Sequence, residues 1–317
     1  MTMGATLQAS GERTSAKRWW IYQRERFPLV AHGILIAAFS SSAVGYSSLL
    51  RDAALPARSS LLVAFASSFL FFLQLRILDE FKDYEEDAQY RPYRPVPRGL
   101  VTLRELGGVG LGAAGIQAAL AVSLDRRLVL LLVGTWIYLL LMSREFFVGE
   151  WLRAHPALYL WSHMLIIPIV TLYATACDWT VAGSGIPDGV SVFLMASFFN
   201  AIGIEIGRKV RAPADEEPGV TTYSAAWGVR WAVCGWMLAL STTATLALIA
   251  ASRIMFVTPV AFIVAVSLST AATIAWRFLR WQGRADARRI EHMSAVWTLL
   301  IYLSLGVAPW FMPHGTR

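Results

Sequence analysis

Nine stretches of about 20 predominantly apolar residues follow one another along this chain, and no other feature restricts its fold as much. They cover residues 29–49, 59–81, 104–123, 128–147, 157–176, 189–208, 225–250, 255–277 and 291–311. A helix of that length crosses the hydrocarbon core of a bilayer, where every backbone N–H and C=O must be satisfied inside the segment. Strands are excluded, because no run has the period-2 alternation of a barrel wall. Charged residues make up only 15% of the chain and hydrophobic ones 56%, against about 25% charged in a soluble domain. The expected architecture is all-α, a polytopic bundle of nine transmembrane helices. Residues 1–28 form a cytoplasmic, interfacial segment, 29–312 a single transmembrane domain, and 313–317 a short external tail.

The net charge of +7 does not point to nucleic acid, because the basic residues sit in clusters between the apolar runs. Counted by loop, 21 Lys and Arg fall on the side of the N-terminus and six on the other, with Arg76 inside a span. Short basic loops stay on the cytoplasmic side, so the N-terminus is placed in the cytoplasm and the C-terminus outside a bacterial plasma membrane. The first 28 residues do not read as a cleaved signal, since the following apolar run is too long for an h-region. Trp19, Trp20 and Tyr22 place residues 16–28 at the headgroups. Cys177 and Cys234 lie far apart in apolar surroundings and form neither a disulfide framework nor a metal knuckle.

Chemistry concentrates at the end of the second run. Asp79, Asp83 and Asp87 recur at i, i+4 and i+8, one helix face drifting about 40° per step. Three carboxylates in register repel one another unless a cation neutralises them. With no His or Cys among them, they suit a hard ion such as Mg²⁺, which shares its shell readily with phosphate oxygens. The plain alternative is a solvated helix end. A proline-stiffened loop follows, Tyr90-Arg91-Pro92-Tyr93-Arg94-Pro95-Val96-Pro97-Arg98-Gly99. Its arginines suit a diphosphate; alone they would read as a lipid-facing basic cluster. The sixth run ends in a similar way, with charged residues and a basic, proline-bearing loop, a hint of a repeated unit around one shared site.

Asp79-Glu80-x-x-Asp83-x-x-x-Asp87, followed by Arg94-Pro95-x-x-x-Gly99, resembles the first motif of the UbiA superfamily of intramembrane prenyltransferases, Asn-Asp-x-x-Asp-x-x-x-Asp and then Arg-Pro-x-x-x-Gly. Gly219-Val220-Thr221-Thr222-Tyr223 through Gly228 resembles the tail of the second motif, with Thr221 where the family has Lys. Asp215 matches the last aspartate of that motif, Arg211 stands where its partner aspartate is expected, and Glu205 lies near the acid that opens the region. Ser143-Arg144-Glu145 and Arg153-x-x-Pro156 resemble the family's basic pair before a proline.

The resemblance implies a bundle around a central cavity and a Mg²⁺-dependent transfer of a polyprenyl group from a prenyl diphosphate to an aromatic or other small acceptor. Asp83 and Asp87 are then catalytic, and Asp79, Asp83, Asp87, Glu205 and Asp215 hold metal. Arg91, Arg94, Arg208, Lys209 and Arg211 contact diphosphate, and Arg144 and His163 face the acceptor. Either Glu205 and Asp215 hold a second metal, or Arg208, Lys209 or Arg211 replaces part of its charge. A terpene cyclase or a phosphoribosyl-type transferase on the same scaffold is the neighbouring alternative. A lipid transporter or lipid-binding protein is the alternative outside enzymes.

Orientation is open to direct test. A reporter fused after Pro97 or Glu217 is expected to read as cytoplasmic and one after Gly183 as external; a cytoplasmic signal at Gly183 would overturn the helix count.

Overall fold

A computed structural model describes residues 15–53, 55–217 and 219–312. Arg13 and Arg317, counted above among the basic residues, and the tail 313–317 lie outside the described residues. In chain order the α-helices are α1 (Ser15–Arg26), α2 (Leu29–Leu50), α3 (Arg58–Lys82), α4 (Tyr84–Tyr90), α5 (Leu103–Leu124), α6 (Leu128–Ser143), α7 (Gly149–Ala154), α8 (Pro156–Met164), α9 (Ile166–Trp179), α10 (Val190–Arg208), α11 (Tyr223–Trp227), α12 (Val229–Arg253), α13 (Val257–Trp281) and α14 (Arg284–Gly306). No strand occurs among the described residues.

Local chemistry explains several boundaries. Thr102 starts α5 with a capping box: its hydroxyl accepts from the Glu105 N–H, and the Glu105 carboxylate accepts from the Thr102 N–H at 2.9 Å. The span expected over 157–176 is built from α8 and α9, because Pro168 has no N–H to offer the carbonyl of Met164, where α8 ends. The fourth span is shorter than its expected bounds of 128–147. α6 is a 16-residue helix that stops at Ser143, and Glu145, Phe146 and Phe147 then turn the chain with φ of 47°, 54° and 60°. Among the described residues, eight helical segments are long and apolar enough to cross a membrane, and α6 is a shorter apolar helix beside them. The count of nine spans therefore holds approximately.

Helices adjacent in sequence are adjacent in space. The order α2–α3–α5–α6–α9–α10–α12–α13–α14 closes on itself where α14 meets α2, while α9 also packs on α2 and α3, and α10 on α14. Between apolar helices in lipid, association depends on close van der Waals packing and interhelical hydrogen bonds. Small residues provide the first. A Cβ on Gly306 would lie 2.1 Å from the Ser42 carbonyl oxygen, and one on Gly45 2.0 Å from that of Gly306. Buried polar side chains provide the second. Tyr46 donates to the Ala250 carbonyl at 3.0 Å. Gln117 donates to the Ser67 carbonyl and accepts from Trp136, both at 3.0 Å. Thr298 donates to Asn200. Opposite the carboxylate-bearing end, Arg51 grips Asp178 through both oxygens at 2.8 and 3.1 Å, and Ser47 donates to the same carboxylate at 2.7 Å. Large apolar side chains such as Leu111, Leu130, Leu238 and Phe262 point outward. An apolar exterior over polar ties is the arrangement of a chain dissolved in lipid, and the protein is a multi-pass integral membrane protein.

Since backbone fills the space beside Gly306, Gly306→Leu is expected to separate α14 from α2 and cost at least about 1–3 kcal/mol. It should appear as a lowered melting temperature in detergent, while Gly112→Leu, on a glycine with open space around it, should melt like wild type.

Candidate functional site

The three aspartates of the first motif lie in two different environments. α3 ends at Lys82, Asp83 adopts φ −92° and ψ 6°, and α4 begins at Tyr84. The N–H of Asp83 still bonds the Asp79 carbonyl at 2.9 Å, and that of Asp87 the Asp83 carbonyl at 2.8 Å, so the spacing survives the break. Asp79 keeps 44% of its side chain accessible and has Arg76 at 3.6 Å. Asp83 is half-buried and has no ion pair among the described residues. Asp87 is only 2% accessible and is enclosed by arginines: Arg94 at 2.8 and 2.5 Å, Arg91 at 3.4 Å and Arg26 at 4.0 Å. A buried carboxylate demands such compensation. The proline loop positions it, turning through the Arg94 N–H to the Arg91 carbonyl and the Arg98 N–H to the Arg94 carbonyl.

Arg26 belongs to α1 and was legible only as one of many basic residues. It pairs with Glu80, which is 1% accessible, and reaches towards Asp87. The signal that could have found it is Glu80 itself, an acid within an apolar run that requires a cation from elsewhere.

Facing the first motif is the end of α10. Glu205, largely buried, pairs with Arg208 at 2.7 Å and Lys209 at 2.9 Å. Asp79 lies within electrostatic range of both Glu205 and Arg208. Arg208 remains 52% accessible. Lys209 also lies 5.8 Å from the centre of the Tyr223 ring and accepts its N–H through the backbone carbonyl. Burial, and then the charge of Glu205, push the Tyr223 phenol up. The loops meet at Gly219, whose φ is 74° and whose missing Cβ leaves room for the ring of Tyr90, 2.6 Å from where that atom would be.

Asp215 and Arg211 line a neighbouring cleft. Asp215 pairs with Arg284 at 2.7 Å. Both residues line a charged cleft of about 350 Å³ against the start of α14, with Arg284, Arg288 and Glu291, and none of Asp79, Asp83 or Glu205 lines it.

The third region joins the site through a residue the sequence did not single out. Lys82 hydrogen-bonds the Tyr159 hydroxyl and lies 3.4 Å from Glu145, which Arg153 approaches at 3.6 Å. Gly149 is required beside Glu145, since a Cβ there would lie 2.1 Å from its Oε2. His163 stacks on Tyr159 at 3.9 Å with its Nδ1 2.8 Å from the Tyr159 carbonyl. Its Nε2 is buried with no hydrogen-bond partner among the described residues. Arg144 is exposed and caps α6 through its backbone N–H.

No family profile and no curated protein sequence matches this chain. Solved structures do. The apo structure of a UbiA homologue from Aeropyrum pernix K1 superposes with a TM-score of 0.68 at 15% identity, over 88% of this chain and 98% of that one. The fold is the UbiA fold. A structure of digeranylgeranylglyceryl phosphate synthase superposes with a TM-score of 0.60 at 14% identity, over 90% of this chain and 99% of that one. A UbiA homologue from Archaeoglobus fulgidus bound to GPP and Mg²⁺ does so with a TM-score of 0.55 at 13% identity, over 90% and 99%. The first-motif carboxylates thus stand on a UbiA fold.

The donor set fits Mg²⁺ at Asp79 and Asp83, which are oxygen ligands with no tight counter-ion, more than at Asp87, whose oxygens are taken by guanidinium groups. No cluster of three acids, histidines or cysteines is already gathered for a metal among the described residues. The contrast between Asp83 and Asp87 predicts different costs for one substitution. Asp87→Asn leaves three arginines short of a counter-charge and is expected to lower stability by about 3 kcal/mol. Asp83→Asn should stay within about 0.5 kcal/mol. Melting curves of the two variants in the same detergent check this.

Proposed function

We propose that this chain is a membrane prenyltransferase, moving a polyprenyl group from an allylic prenyl diphosphate to an aromatic or other small acceptor. The observation that carries the reading is the meeting, at one end of a UbiA fold, of two open carboxylates, Asp79 and Asp83, with Arg208 and Lys209 around Glu205. An acidic head on an apolar tail matches such a place: cations and metal ligands at the membrane surface, apolar helices beneath. The ligands of the Archaeoglobus homologue, GPP or DMAPP with Mg²⁺, support this substrate class.

In the reaction the C1–O bond breaks, its electron pair leaves with the diphosphate, acceptor electrons form the new bond to C1, and the acceptor gives up a proton. Asp79 and Asp83 are the residues that would hold Mg²⁺, which when bound neutralises charge on the departing diphosphate. The charge of Glu205 is already matched by Arg208 and Lys209, so this half of the site works mainly with fixed cations. Arg208 and Lys209 take diphosphate oxygens, with the fork of Arg208 suited to two at once. Arg91 and Arg94, held by Asp87, form the rim on the other side. Arg211 and Asp215 serve the adjacent charged cleft instead. His163 borders the acceptor side with its ring stacked on Tyr159, whose hydroxyl Lys82 holds. The packed apolar bundle keeps water from the allylic cation.

The test is incubation of purified protein with geranyl, farnesyl and longer diphosphates, with and without Mg²⁺ and candidate acceptors, reading pyrophosphate release and lipid products by mass spectrometry. Asp83→Asn should lower turnover about 10²–10³-fold, the range for losing one preorganised charge contact, and Arg208→Gln should mainly raise KM. Turnover without a divalent ion, or near wild-type turnover in Asp83→Asn, would remove the reading. Product from the diphosphate alone would make the protein a cyclase.

A further inference from the structure

Arg76 stands beside the open carboxylates and has no role in the transfer step. It lies on α3, three residues before Asp79 and so about 4.5 Å further into the span. An arginine within an apolar span is costly unless an anion or water meets it, and such residues mark functional places. Arg76 is only loosely met. Its one ion pair among the described residues is to Asp79, 3.6 Å from Nη1, with 23% of the side chain accessible. Its Nε is buried with no hydrogen-bond partner among the described residues. Glu80, the acid one turn on, already pairs with Arg26.

Its neighbours relate it to Arg208. The charge of Arg76 reaches Asp79 on its own helix, His32 of α2 and the Tyr22 hydroxyl of α1. Arg208 of α10 reaches the same Asp79 and the same His32. Two arginines from different helices thus address one carboxylate and one imidazole. Arg208 has Glu205 at 2.7 Å, whereas Arg76 has only the longer contact with Asp79. Asp79 is also one of the oxygen ligands that suit Mg²⁺. A divalent ion on Asp79 takes away the counter-charge of Arg76 and repels its guanidinium, so a further anion is needed there.

We infer that Arg76 is a diphosphate-contacting residue, held by Asp79 in the free protein and turned to the substrate's diphosphate oxygens when Asp79 takes Mg²⁺. This role rests on the prenyl diphosphate reading and adds to it a contact from the membrane side, where the prenyl tail joins the head. The planar fork of an arginine suits two oxygens at once. Coupling follows from the shared carboxylate. Without the metal Asp79 keeps the arginine, and without the diphosphate the arginine competes for Asp79, so metal and diphosphate each bind better in the presence of the other.

The experiment titrates the full chain in detergent with Mn²⁺, standing in for Mg²⁺ and read by electron paramagnetic resonance. Inorganic pyrophosphate is then added at saturating Mn²⁺ and read by calorimetry. In Arg76→Gln the pyrophosphate affinity should fall about tenfold, as for the loss of one charge-assisted contact. The affinity for Mn²⁺ alone should rise about threefold, as for the loss of one partly exposed competing pair. The opposite signs separate this role from a merely structural one, since a loosened helix end would weaken both. Arg76→Lys keeps the charge without the fork and should lie between. Arg104→Gln, at the exposed start of α5, should match wild type in both. Unchanged pyrophosphate affinity in Arg76→Gln, or a parallel loss of both affinities, would overturn the assignment. Neither readout depends on turnover. Pyrophosphate binding that Arg76→Gln weakens, with no prenylated product from wild type, removes the transferase reading and leaves Arg76 in place; normal product with undiminished binding in Arg76→Gln does the reverse.

Discussion

Two carboxylates buried at the end of α3 and the start of α4, Glu80 and Asp87, set the terms for everything around them. Neither can stay charged out of water without a cation in contact. Asp87 recruits Arg94 and Arg91 from the proline loop, and Glu80 recruits Arg26 from α1. Two segments that belong to no transmembrane helix, α1 and the proline loop, are thereby fixed around one helix end. The open carboxylates Asp79 and Asp83 owe their position to this arrangement. A loop without its arginine anchors would be free to move across them, and a helix end without its buried charges would be free to fray.

The same principle divides the second motif. Glu205 is compensated within its own helix end by Arg208 and Lys209, whereas Asp215 is compensated by Arg284 from α14. The arginine at position 211, where the family pattern has an acid, thus belongs to a region already balanced by other pairs. One side of the site is rich in metal-type oxygens and the other in fixed cations. That asymmetry follows from which charges find partners within the protein itself.

Holding the bundle together is a different matter from holding the site. Lipid tails are as apolar as leucine, so helix association rests on close contact and on polar groups that meet across interfaces. The approach of α2 to α14 at Gly45 and Gly306 supplies the first, and Arg51 with Asp178 the most strongly charged example of the second. Both lie away from the site, and both let the helices bearing the motifs act as a rigid frame.

The helical, membrane-spanning character of the chain was legible from the apolar runs, because length and hydrophobicity alone decide what can cross a bilayer. The existence of a carboxylate-bearing site at the end of α3 was legible too, since the i, i+4, i+8 spacing is local and a helix enforces it. The different fates of Asp79, Asp83 and Asp87 were not. Their register is identical in sequence, and only the return of the proline loop and the docking of α1 separate an open pair from an enclosed third. The pairings of Arg26 with Glu80 and of Lys82 with Glu145 were missed for the same reason: the partners are distant along the chain, so local pattern does not say which will meet. Asp215 and Arg211 were assigned by their place in a motif, but ion pairs form with whatever the fold brings near. Backbone periodicity is a property of neighbours in sequence, and charge compensation is a property of neighbours in space; the first this sequence determined alone, and the second was decided by the tertiary structure.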